Sequence, residues 1–118
     1  MSIAIDQRSR ADVAQAQLDA YNAQDLDAHC VCFADDIVVA DLNGAVTRQG
    51  KQAYREAYAK LFAEFPQNRA ELVNRIVVGD TVVDHERVAR SPNGPFFEVA
   101  AIYTFAGDKI ARVDFARA

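Results

Sequence analysis

The chain has 118 residues, 51% of them hydrophobic and 25% charged, with a formal net charge of −4. That length sets a single domain with a real core and room for a modest pocket. The negative charge, without any long run of Lys or Arg, excludes a nucleic-acid surface, and no apolar run is long enough to span a bilayer. The opening Met1-Ser2-Ile3-Ala4-Ile5-Asp6 lacks the basic start and apolar core of a signal peptide, so a cytoplasmic location is expected.

Residues 1–8 read as a flexible N-terminus and 9–118 as the domain. Ser9 with Asp12 resembles a capping box, and Ala14, Leu18 and Tyr21 follow at helical spacing. Asn22-Ala23-Gln24 breaks this helix, and Asp25 caps a second, whose apolar face holds Leu26, Cys30 and Phe33. Cys30 and Cys32, with His29, invite a metal reading. On a helix, however, residues two apart point to nearly opposite sides and cannot converge on one ion, so both thiols read as small buried groups and no metal is expected.

The period then changes. Ile37–Leu42 reads as a strand, Asn43-Gly44 as a turn, and Ala45–Arg48 as a short return strand. Gly50 precedes a third helix, Lys51–Phe65, with Tyr54, Tyr58, Leu61 and Phe65 in a stripe and Pro66 ending it. Four strands follow: Glu71–Val78, Thr81–Ala89, Phe96–Phe105 and Lys109–Phe115. Gly79-Asp80 and Gly107-Asp108 turn the chain between them, and Ser91-Pro92-Asn93-Gly94-Pro95 separates the middle pair. Helices segregated from an antiparallel meander give an α+β fold, a cone-shaped barrel in which three helices close a curled sheet around a small-molecule pocket.

Asp41 closes the apolar strand on the face of Ile37 and Val39. Two readings stand: a carboxylate held at the end of an apolar stripe for chemistry, or the first position of an Asp41-Leu42-Asn43-Gly44 turn. In the third of the four later strands, Phe96–Phe105, residues Phe97, Val99, Ala101, Tyr103 and Phe105 form the aromatic, uncharged face and should point to the helices. In Thr81–Ala89 both faces are mixed. If Val83 points inward, His85 goes with it and could meet Asp41, and Arg87 could anchor a ligand at the cone mouth. Asp84, Glu86, Glu98, Arg75, Arg112 and Asp114 are then expected on the outer sheet face, with Val77, Ile102 and Ala100 making that face partly apolar, as a dimer contact would be.

Tyr21-Asn22-Ala23-Gln24-Asp25-Leu26-Asp27-Ala28, Phe33-Ala34-Asp35-Asp36, Asp41, Gly44 and Arg48-Gln49-Gly50 resemble the ketosteroid isomerase and SnoaL-like branches of the nuclear transport factor 2-like superfamily. Ile102-Tyr103-Thr104-Phe105 and Lys109-Ile110-Ala111-Arg112-Val113 look like its final hairpin, so the resemblance runs from about Val13 to Phe115. It implies the cone fold and a homodimer packed through the outer sheet face. It also puts Asp41 at the isomerase's general-base position, Tyr58 in the pocket network, and His85 and Arg87 on the cone side. The isomerase stabilises its dienolate with a tyrosine and a protonated aspartic acid. Those two donors fall here on Gln17 and Ala101, so steroid isomerase activity is not expected.

The expected function is cofactor-free acid–base chemistry, of isomerase, cyclase or dehydratase type, on a small apolar molecule. Asp41 would be the base and His85 its partner or the acid. Gln17, Tyr58 and Tyr103 would orient the ligand, while Phe33 and Tyr54 line the cone. The alternatives are a non-catalytic dimeric module that binds such a ligand and a structural dimer whose aromatics fill the pocket. No nucleotide loop or ligand cluster points to a cofactor.

Overall fold

A computed structural model describes residues 3–118, with side chains from Arg10 onward. The first helix, α1 (Ile3–Ala23), starts well before Ser9, so Ser9 lies within it and does not cap it as expected; Met1 and Ser2 lie outside the described residues. Its end is built as the sequence requires. Gln24 takes a left-handed φ of +59°, and the amides of Gln24 and Asp25 return to the carbonyls of Tyr21 and Ala20. Asp25 then caps α2 (Leu26–Cys30), accepting from the Ala28 amide at 3.1 Å.

Phe33 does not belong to a helix. It opens β1 (Phe33–Asp41), which begins earlier than the apolar run suggests because a register irregularity carries it past the polar Asp35 and Asp36. The hairpin returns as β2 (Val46–Gln49), and α3 (Lys51–Glu64) follows from Gly50, whose φ of +88° lets its amide reach the Ile37 carbonyl. The meander is β3 (Arg69–Val78), β4 (Thr81–Ala89), β5 (Phe96–Ala106) and β6 (Lys109–Arg117). The sheet order is β2-β1-β6-β5-β4-β3; β1 and β6 run parallel, and every other neighbouring pair is antiparallel. The result is the expected α+β architecture, three helices on one face of a mostly antiparallel sheet.

The register of β4 corrects the expected faces. Val82 lies opposite Tyr103, Asp84 opposite Ala101, Glu86 opposite Val99 and Val88 opposite Phe97, so the even-numbered residues share the inner face with the aromatic side of β5. All four are buried. His85 and Arg87 therefore point outward, where His85 Nε2 meets Glu98 Oε1 at 2.7 Å and Arg87 lies over the Phe96 ring.

What makes this orientation stable is Arg75. It sits opposite Asp84 on β3 and grips its carboxylate with Nε–Oδ1 and Nη2–Oδ2 contacts of 2.7 and 2.9 Å. Its third nitrogen reaches Gln15 of α1 at 3.0 Å. A carboxylate at 0% exposure is tolerated only with such pairing. Asp84, Glu86, Arg75 and Val77 thus leave the outer face. Glu98, Ala100, Ile102, Arg112 and Asp114 remain there, with Arg112 paired to Asp114 and Ile76 and Phe96 exposed nearby.

Two clusters make the core. The larger contains Phe33, Ile37, Phe105, Ile110 and Val82 and fills one end of the cone. The smaller, Leu18, Ala70, Val88 and Val99 with Tyr21 and Phe97 against it, walls the other end and leaves it open. No helix among the described residues is long and apolar enough to cross a membrane.

Candidate functional site

The open end of the cone is a cavity of about 610 Å³, inside the range of small-molecule pockets. Its floor is a run of ordered polar groups. His29, 1% exposed, places Nδ1 2.9 Å from the Gln17 carbonyl and Nε2 2.9 Å from the Tyr54 hydroxyl. A carbonyl only accepts, so Nδ1 carries the proton and Nε2 accepts from Tyr54. Burial lowers the His29 pKa from 6.5 to about 4, partly offset by the bond to Gln17, so the ring is a neutral strut at ordinary pH.

Gln17 continues the network. Its Nε2 donates to the Ala14 carbonyl and to the Tyr103 hydroxyl, each at 3.0 Å. Because the Tyr103 oxygen accepts there, its own proton is free to turn to the cavity. Burial, then the nearby Glu86 and Asp84, push the Tyr103 phenol well above its ordinary value. Tyr58 is pushed up to about 12, chiefly by burial. Both phenols are therefore held protonated, as hydrogen-bond donors.

Glu86 is the acidic group of this wall. The residue is 7% exposed and lines the cavity, and no described side chain hydrogen-bonds its carboxyl. Burial raises its pKa from 4.5 to about 7; the buried Asp84 adds to the rise and Arg75 opposes it. A carboxyl poised near neutrality in a cavity can both take and return a proton.

The expected site residues divide. Gln17, Tyr54, Tyr58 and Tyr103 all line the cavity. Asp41 lies at its mouth, half-exposed, with Arg117 Nη1 on its Oδ1 at 3.0 Å and its own backbone carbonyl accepting the Gly44 amide of the turn. Phe33 is buried in the core beneath Tyr54 and is not part of the wall. His85 and Arg87 are on the opposite face of the sheet, so the Asp41–His85 pair does not form. The sequence reading missed Glu86, His29, Arg48 and Arg90 as wall residues. A signal for Glu86 existed: Val82 and Val88 stand at the two ends of the face that carries Asp84 and Glu86, against a single valine, Val83, on the other.

Residues 14–113 match the family model described as a SnoaL-like domain. No curated protein matches the chain. Among solved structures, an uncharacterized cystatin-fold protein from Novosphingobium aromaticivorans is similar at 40% identity and a TM-score of 0.82, covering 90% of this chain and 96% of that one. A putative polyketide cyclase from Sinorhizobium meliloti is similar at 27% identity and a TM-score of 0.75, with 89% and 94% covered. A putative ketosteroid isomerase from Kribbella flavida shares the fold, at 11% identity and a TM-score of 0.81 over 96% of this chain and 80% of that one. The family match spans most of the chain, and the chain belongs to the SnoaL-like family.

Proposed function

We propose that the protein is a cofactor-free acid–base enzyme that moves a proton next to a carbonyl in a small, largely apolar molecule. The observation that carries this reading is Glu86, a buried carboxyl facing the cavity with a pKa near 7 and no hydrogen-bond partner among the described side chains. It takes the role that the sequence assigned to Asp41. The carboxylate removes a C–H proton, and the resulting charge collects on the carbonyl oxygen. Tyr103, steadied by Gln17, and Tyr58 donate to that oxygen from the buried wall. Protonated Glu86 then returns the proton to the same or a neighbouring atom. Each such donor is worth about two to three orders of magnitude in rate. The similarity to a putative polyketide cyclase supports the reaction class without naming the substrate.

The test needs no physiological substrate. Deuterium exchange from D2O into a panel of apolar ketones and esters, followed by NMR, reports proton abstraction directly. Catalysed exchange that Glu86→Gln abolishes and Asp41→Asn retains supports the reading. Ligand binding without exchange on any member makes the protein a binding module. Two copies joined through the outer sheet face belong to the same reading, supported by the exposed Ile76 and Phe96 there, and sedimentation equilibrium tests it.

A further inference from the structure

The charges around the cavity do not cancel. Three arginines line it, Arg48, Arg90 and Arg117, against the carboxyls of Asp41 and Glu86. Asp41 and Arg117 neutralise each other at the mouth, 3.0 Å apart. Glu86 feels Asp84 and Arg75 behind it, and none of the three wall arginines contributes to its pKa. Arg48 and Arg90 are left without a carboxylate partner among the described residues, in a chain whose net charge is −4.

Of the two, Arg90 is built as an anchor. Its Nη1 donates to Asn68 Oδ1 at 2.7 Å, and its guanidinium lies over the rings of Phe65 and Phe97, 5.5 and 5.0 Å from their centroids. Asn68 is itself 2% exposed and spends its amide on the Tyr21 hydroxyl, so the assembly is fixed before any ligand arrives. The stacking partners hold the cation without cancelling its charge. Arg48, half-buried on the edge strand β2, lines the same cavity, near enough to Tyr58 for its charge to act on that phenol. The apolar wall of the same cavity includes Leu18, Val88, Val99 and Phe97.

We propose that the molecule taken by this cavity is an apolar carboxylate, whose anionic group sits on Arg90 within the field of Arg48 while its apolar body reaches Glu86. This rests on the acid–base reading above and narrows its substrate class from small apolar molecules to small apolar acids. A guanidinium held in plane presents paired N–H groups that match a carboxylate and discriminate against a neutral isostere.

Isothermal titration calorimetry with matched pairs decides it: aryl carboxylates of one to three rings, each with its amide, at about pH 6 and low salt. Wild type should bind at least one carboxylate about tenfold or more tighter than its amide. Arg90→Gln should erase that preference and Arg48→Gln should reduce it, while Arg112→Gln, on the outer face, leaves it intact. If Arg90→Gln does not fold, the wild-type pairs and Arg48→Gln still decide. Amides that bind as well as their acids overturn the carboxylate subsite and leave the acid–base reading standing. Binding by neither series overturns both.

Discussion

Replacing Glu86 with Gln isolates one titration. In the folded protein this carboxyl titrates at about 7 against an ordinary 4.5, first because burial disfavours its charged form and then because Asp84 is close, with Arg75 opposing. The folded state thus holds the proton more tightly than the unfolded chain, and stability is lost as pH rises from 4.5 through about 7. That gap, at about 1.4 kcal/mol per pH unit, is about 3 kcal/mol. At 7% exposure, little of it is screened away by water.

Gln keeps the shape and removes the charge. Variant and wild type should therefore melt together below about pH 4.5, with the variant pulling ahead until it leads by on the order of 10 °C above pH 7. Wild type alone would hide this effect. His29, whose pKa is lowered to about 4, loses stability in the opposite direction as pH falls from 6.5, so the two slopes oppose each other between about 4.5 and 6.5. The quantity to read is the difference in Tm between the two proteins across pH 4 to 9. An offset that stays constant with pH would refute the argument, because it would place Glu86 in an environment no different from water.

Asp84→Ala should cost about 3 kcal/mol or more in urea denaturation, because it strands Arg75 beneath α1 without its partner. His29→Gln should flatten the loss of stability between pH 6.5 and about 4, measured as the shift in urea midpoint, since the variant no longer has a buried ring to protonate. Asp41→Asn should change stability by less than about 1 kcal/mol, because both members of its pair with Arg117 are half in water. His85→Ala should leave ligand affinity unchanged by calorimetry; a loss would mean that β4 presents its other face to the cavity.

Local chemistry along the chain was enough to determine most of the fold. The helix break at Gln24, the Asp25 cap, the glycine before α3 and the two-residue turns each answer to a few neighbouring residues, and all stand where the sequence puts them. The aromatic inner face of β5, whose alternation is unmixed, was equally legible, and with it Tyr103; Tyr54 and Tyr58 followed from helix periodicity, while Gln17 came from the family resemblance alone.

Strand β4 is different. Both of its faces carry charge, and no local rule ranks Asp84 with Glu86 against His85 with Arg87 for burial. Tertiary structure decides it through Arg75, which reaches across from β3 and makes a buried Asp84 tolerable, while His85 finds Glu98 in the half-exposed outer layer. Turning that one strand carried Glu86 into the cavity and His85 out of it. The fold was written in periodicity and turns, but the acid of the site depended on an ion pair between strands, a contact that a single sequence does not display.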